Sequence, residues 1–172
     1  MRGVKIESSN YYLRSLSALD DLDNYLFWMS NPSNNKFIIS SRINYTFNEL
    51  IEFIESCNKS DEVLLLGIFS KTSNVHIGNI KYDDINILSK KAAMGILIGD
   101  IKYRGKGVAK EVIDVTVSWL NKNFGIKNFL LGVDQNNDVA FNLYKKLGFK
   151  EIGKIHPNGI KMLLDINDHL DA

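Results

Sequence analysis

At 172 residues, 45% apolar and 24% charged, the chain has the size and balance of one folded domain with its own core, and two domains would be cramped. A formal net charge of +1 leaves no electrostatic footprint for phosphate backbones, which sets nucleic acid aside as a partner. Cys57 is alone, so neither an internal disulfide nor a zinc set is expected. The opening MRGVKIESSNYYLRSL lacks the apolar core of a signal peptide, and the longest apolar run, VLLLGIF at 63–69, is too short for a bilayer. Together these features predict a cytoplasmic protein with no membrane partner and no metal.

In chain order, VKIESSNYYLRSL alternates as a strand. SALDDLDNYLFWMS follows with Asp or Ser caps and with Leu22, Leu26 and Met29 at helical spacing, stopped by Asn31 and Pro32. TFNELIEFIESC pairs Thr46 with Glu49 as a capping box and sets Ile51 and Ile54 on one side. Three runs rich in Val, Ile and Leu come next, EVLLLGIFS, VHIGNIKYDDINIL and AAMGILIGD. The intervening KTSN and SKK suit the hairpins of an antiparallel meander.

After Asp100 the period changes. Val108, Val112, Val115 and Trp119 mark one helix face, with Gly125 at a left-handed C-terminus. NFLLGVD reads as a strand. NNDVAFNLYKKLGF reads as an Asn-capped helix with Ala140, Leu143, Tyr144 and Leu147 on one face and Gly148 at its end. EIGKIHPNGIKMLLDI closes the chain as two strands around a Pro/Asn/Gly turn. The fold class is therefore α+β, an antiparallel run followed by a β-α-β-α-β tail, with helices on the faces of a mixed sheet.

The segment YRGKGVAKEV, 103–112, places two glycines where a helix begins after a strand. A helix N-terminus offers unpaired N–H groups and the positive end of the macrodipole, and glycine lets an anion approach them. A nucleotide-binding phosphate loop needs Lys and then Ser or Thr after its last glycine, but Val108, Ala109 and Lys110 follow Gly107. A dinucleotide fingerprint needs a third spaced glycine, which Ala109 denies. What stands is R-x-x-G-x-A, spelled Arg104, Gly105, Lys106, Gly107, Val108 and Ala109. Taken alone, RGKG also fits a solvated turn.

The hexad resembles the coenzyme A pyrophosphate loop of the GCN5-related N-acetyltransferase (GNAT) superfamily, Q/R-x-x-G-x-G/A between a strand and a helix. About thirty residues on, NDVAFNLYKKLGF is similar to that family's N-x-x-A-x-x-L-Y-x-x-x-G-F. The likeness runs from about Val63 to Gly153. More loosely, DLDNYLFWMSNP resembles the subgroup of ribosomal-protein N-terminal and amino-sugar acetyltransferases. The resemblance implies a single GNAT domain over 1–172, with a mostly antiparallel sheet and a V-shaped splay between two parallel strands. It further implies acetyl-coenzyme A as co-substrate, cradled by residues 104–109 and bounded by the strands near Ile98 and Leu131.

Residue by residue, the resemblance puts backbone around Ile98 on the thioester carbonyl, Asn137 against the coenzyme and Tyr144 in the role of general acid. Asn137 also fits a helix cap, and Tyr144 also fits a ring packed under the sheet. Lys106 and Lys110 either reach the outer phosphate or lie on the surface. Where subgroup members carry a Glu on the strand before the loop, this chain has Ala93, so the general base is not given. Asp83, Asp84 and His76 are alternatives that also fit turn or surface positions, as does His156. IGNIKYDDIN together with the loop resembles acetyltransferases of nucleotide-linked amino sugars in bacterial surface-glycan pathways, and the abundance of Asn, Ile and Lys fits an AT-rich bacterial genome. Lys36, Arg42, Lys81, Asp83 and Asp84 become acceptor contacts on that reading. The alternatives are an N-terminal protein acetyltransferase and a non-catalytic acyl-coenzyme A sensor; an interaction module whose RGKG is a surface turn is a third. A homodimer is left open.

Overall fold

Eight strands and four helices, in a computed structural model, make up the described residues 1, 3–31, 45–155 and 157–169. The strands form one sheet in the order β1-β2-β3-β4-β5-β6-β8-β7. β1 (Lys5–Glu7) and β2 (Tyr11–Ser15) make a hairpin, where the sequence predicted one continuous strand. The bend falls at residues 8–10, where the Ser8 N–H donates to the Tyr11 carbonyl at 2.9 Å. β3 (Leu64–Ser70), β4 (His76–Asn86) and β5 (Lys91–Ile98) are the expected meander. β6 (Asn128–Asp134) runs parallel to β5, and β7 (Lys150–Ile155) and β8 (Gly159–Asp165) close the sheet antiparallel. Lys36, Arg42 and His156 lie outside the described residues.

Alternation along the strands sends side chains to two cores. On one face, Leu64, Leu66, Ile68, Ile80 and Tyr82 pack under α3 (Val108–Phe124) and α4 (Asp138–Lys146). On the other, Leu65 and Phe69 meet Leu22, Tyr25 and Trp28 of the α1 region (α1, Asp23–Ser30) and Leu50, Ile54 and Cys57 of α2 (Phe47–Lys59). Each fully buried Leu or Ile contributes about 1.5–3 kcal/mol, which holds the helices to the sheet.

Local chemistry explains where expectation and structure meet. α2 begins at the predicted capping box, with the Glu49 N–H donating to Thr46 Oγ1 at 3.3 Å and the Thr46 N–H donating to Glu49 Oε2 at 2.9 Å. α1 has no cap from its N-cap side chain, contrary to the expectation of Asp or Ser, because the apolar Leu22 holds that position; Asp21 accepts the Asp23 N–H at 3.2 Å instead, and Asp20 is drawn to Arg14 and to the Ser17 N–H. α3 is rotated from the predicted stripe. Ile113, Thr116, Val117 and Leu120 share the buried face with Val108 and Val112, while Val115 and Trp119 are half-buried. The reason is Thr116: its hydroxyl donates to the Val112 carbonyl at 2.8 Å and lies 2.8 Å from the Tyr82 hydroxyl, a buried polar link that turns this face to the sheet. Among the described residues, no helix is long and apolar enough to cross a membrane.

Candidate active site

β5 and β6 pair only over Lys91–Asn128, Ala92–Phe129 and Ala93–Leu130. Beyond that point each keeps its outer partner, β5 as far as Ile98 opposite Gly78 and β6 as far as Asp134 opposite Gly159. The strands diverge, and a cleft of about 1070 Å³ opens between them. Its walls include strand backbone. The Gly99 N–H donates to the Ile77 carbonyl at 3.0 Å, which makes Ile98 and Gly78 a non-hydrogen-bonded pair. The N–H and C=O of Ile98 therefore face away from β4, toward the cleft. The carbonyl accepts from Arg104 Nε at 2.8 Å, which ties the loop to the strand. Gly78 permits this close pairing, since a Cβ there would lie 2.2 Å from the Leu97 carbonyl oxygen.

The coenzyme end of the cleft follows from backbone rules. The Asp100 carboxylate accepts the Lys102 N–H at 2.9 Å and starts a single turn of 3-10 helix, Ile101–Tyr103. Gly105 and Gly107 have φ of 71° and 78°, left-handed values that favour glycine. The first intrahelical bond of α3 is the Glu111 N–H to the Gly107 carbonyl, at 3.1 Å, so no backbone carbonyl among the described residues takes the amides of 105–110. A Cβ on either glycine would meet nothing within 4 Å, so the space over these amides is open. Open space, free amides and the helix dipole fit the diphosphate of a coenzyme, and the strand edges beside them fit its amide-bearing arm.

Asn137 caps α4, its Oδ1 accepting the Ala140 N–H at 3.2 Å, and it also lines the cleft. Tyr144 lies nearby, 8% exposed, its ring 5.6 Å from Phe149. Burial pushes its pKa up to about 12. No hydrogen bond among the described residues holds its hydroxyl, whereas the fully buried Tyr82 is tied to Thr116.

The other end of the cleft lies on the α1 and α2 face. Tyr25, Met29, Tyr45 and Phe53 border it, with Lys81 Nζ 5.2 Å from the Phe53 ring centre and 3.0 Å from the Asp83 carboxylate. Beneath them His76 sits among Phe69, Trp28 and Tyr25, and burial lowers its pKa, keeping it neutral. His76 Nε2 is 3.0 Å from the Gly78 carbonyl and 2.9 Å from Asn79 Oδ1. Both are acceptors, so Nε2 carries the proton and the Asn79 amide nitrogen points the other way, without a partner among the described residues.

The structure thus brings Ile98, Arg104, Gly105, Gly107, Val108, Ala109, Lys110, Asn137, Tyr144, Lys81 and Asp83 to one cleft. Lys106 instead lies 5.9 Å over the Tyr103 ring, and Asp84 is exposed, at a φ of 50° in the register shift after Asp83. His76 is neither in a turn nor on the surface; it is buried because three aromatic rings enclose it. Sequence reasoning passed over Asn79 and the aromatic rings. The period of two in NIKYD, which sets Asn79, Lys81 and Asp83 on one face, was the available signal for the first.

A cleft between splayed parallel strands, with a glycine cradle at its mouth and a buried tyrosine inside, is the arrangement that the sequence resemblance implies for a coenzyme A-dependent transferase. Residues 11–150 match the acetyltransferase (GNAT) domain family, and the chain belongs to it. Its co-substrate is acetyl-coenzyme A and its activity N-acetyl transfer. An N-acetyltransferase 9-like protein of Caenorhabditis briggsae is 25% identical over 142 residues, covering 76% of this chain and 70% of that protein. An uncharacterized protein of Methanocaldococcus jannaschii is 28% identical over 156 residues, 88% of this chain, which spans only 30% of that protein. The fold is that of the Vibrio cholerae spermidine N-acetyltransferase in complex with CoA and spermine, with a TM-score of 0.81 and 19% identity, over 94% of this chain and 98% of that one.

Proposed function

We propose that this chain, as a single catalytic domain, moves the acetyl group to the primary amine of a nucleotide-linked amino sugar by direct attack in a ternary complex. The observation that carries the acceptor class is electrostatic. Asp83 is the only carboxylate among the described residues lining the cleft, and Lys81 already neutralises it. Segment 32–44, which adjoins this side in sequence, contains Lys36 and Arg42 and no Asp or Glu. A polyamine brings several cations that need anionic partners once desolvated. A sugar nucleotide brings a diphosphate that Lys81, Lys36 and Arg42 suit, and a base that packs on rings such as Tyr45 and Phe53, 6.1 Å apart. The Vibrio cholerae neighbour is a spermidine N-acetyltransferase in complex with spermine. The sequence resemblance supports a bacterial surface-glycan setting, and the buried, unbridged Cys57 agrees with a cytoplasmic one.

In the transfer, the amides of 105–110 hold the coenzyme diphosphate and a cleft-facing backbone N–H of β5 around Ile98 polarises the thioester carbonyl. The amine lone pair forms the C–N bond, the C–S bond breaks, and the Tyr144 hydroxyl gives its proton to the departing sulfur. Burial raises the Tyr144 pKa to about 12, which keeps the phenol protonated near neutral pH with a proton to give.

The test is thiol release from acetyl-coenzyme A by purified protein with a UDP-linked amino hexose, an N-terminal peptide and spermidine. The account expects kcat/KM for the sugar to exceed the others by about tenfold or more. Preference for spermidine or the peptide refutes the acceptor assignment, and coenzyme binding without release from any amine supports a sensor.

A further inference from the structure

The amine must lose a proton as it is acetylated, and the strand position where members of the subgroup this chain resembles often carry a glutamate is here Ala93, which has no carboxylate. The structure supplies another. Asp83 on β4 is the register partner of Ala93 on β5. Residues directly opposite in an antiparallel pair project from the same face, with their Cβ atoms about 4.5–5.5 Å apart. A carboxylate at 83 and one at 93 would therefore reach into the same part of the cleft. Ala93 and Gly95 keep the floor between Asp83 and the splay low, and both line the cleft with it.

Two further features aim the Asp83 group. Lys81, two residues earlier on the same face, holds its carboxylate at 3.0 Å. The register of β4 shifts just after Asp83, with Asp84 at a φ of 50°, and such bulges redirect the side chains beside them. The Asp83 side chain remains 39% exposed, open enough for a substrate to reach. The groups around it are Lys81 on its own strand, the buried Cys57 on α2, and Tyr25 and Tyr45, which border the same end of the cleft.

We propose that Asp83 is the general base of this acetyltransferase, delivering from β4 the carboxylate that position 93 lacks. As the amine nitrogen bonds to the thioester carbon its N–H becomes strongly acidic. The N–H bond breaks, its proton passes to Asp83 directly or through one water, and the C–S electron pair leaves on sulfur, which takes the Tyr144 proton. Asp83 then gives up its proton and Tyr144 regains one by exchange with solvent, so the cycle balances.

The test relocates the carboxylate. Wild type, Asp83→Asn, and Asp83→Asn combined with Ala93→Glu are compared by kcat/KM from pH 6 to 9, with acetyl-coenzyme A and either a UDP-linked amino hexose or spermidine. Coenzyme A affinity and melting temperature are measured alongside. The expected result is a loss on the order of a hundredfold or more in Asp83→Asn at neutral pH, shrinking as pH rises and the amine deprotonates unaided, with unchanged coenzyme affinity. Ala93→Glu in the same chain should recover most of it. Unchanged kcat/KM in Asp83→Asn overturns the proposal, as does a pH-independent loss that Ala93→Glu does not repair, which would leave Asp83 only a binding role. The acceptor preference of the wild type tests the sugar assignment separately, because the variant-to-wild-type ratio is read on whichever amine is turned over.

Discussion

The two ends of the cleft are built by different means. At the coenzyme end, one contiguous stretch, Asp100 to Glu111, carries the whole device: a side-chain cap, two left-handed glycines and a row of amides unpaired among the described residues. At the acceptor end, Tyr25, Phe53, Lys81 and Asp83 come from α1, α2 and β4, and meet only because the sheet packs both helices on one face. The first end recognises through backbone, which any member of a large family can share. The second recognises through side chains, and there individual members can diverge.

The largest effect expected from breaking this contrast is at Gly107. Valine there would have to hold a φ of 78° and would place a branched side chain over the free amides. Coenzyme A affinity measured by titration should fall on the order of a hundredfold, and the left-handed strain should lower the melting temperature by several degrees as well. Next, Tyr144→Phe should lower kcat by about 10²-fold or more in the thiol-release assay and leave coenzyme affinity unaltered, because the hydroxyl makes no hydrogen bond among the described residues. At the acceptor end, Lys81→Met should raise acceptor KM about tenfold and also lower kcat, because it releases the Asp83 carboxylate, without touching coenzyme affinity. Thr46→Ala, a cap remote from either end, should cost about 1 kcal/mol, a drop of roughly 2–4 °C in Tm, with kcat intact.

Buried ionisable groups make stability pH-dependent at both extremes. His76 has a folded pKa below its ordinary value because burial disfavours the cation, so its contribution is present above about pH 6.5 and is lost as pH falls. Tyr144 has a folded pKa raised to about 12 from 10, so its contribution is present below pH 10 and is lost as pH rises through that window. Urea unfolding midpoints across pH should show both limbs, and His76→Phe should flatten the acid one.

The same contrast explains what was legible in the sequence. The glycine loop, the Thr46–Glu49 capping box and the left-handed Gly125 are local, their signals lying within a few residues of one another. The stripe on α3 differs from the expected one because Thr116 counts as polar in isolation, and the Tyr82 hydroxyl that completes its pairing lies 34 residues earlier. His76 looked like a surface residue for the same reason: the rings that enclose it come from α1 and β3. The opposition of Asp83 and Ala93 depends on a strand register that no local pattern states.

The most direct test of a cleft with two distinct ends is backbone amide hydrogen exchange with and without coenzyme A. Unpaired amides exchange fast, and a ligand that takes them slows them selectively. The account predicts slowing at residues 105–110 and at Ile98, with α1 and α2 unchanged until an acceptor is added. Slowing over α1 and α2 with the loop unaffected would contradict it.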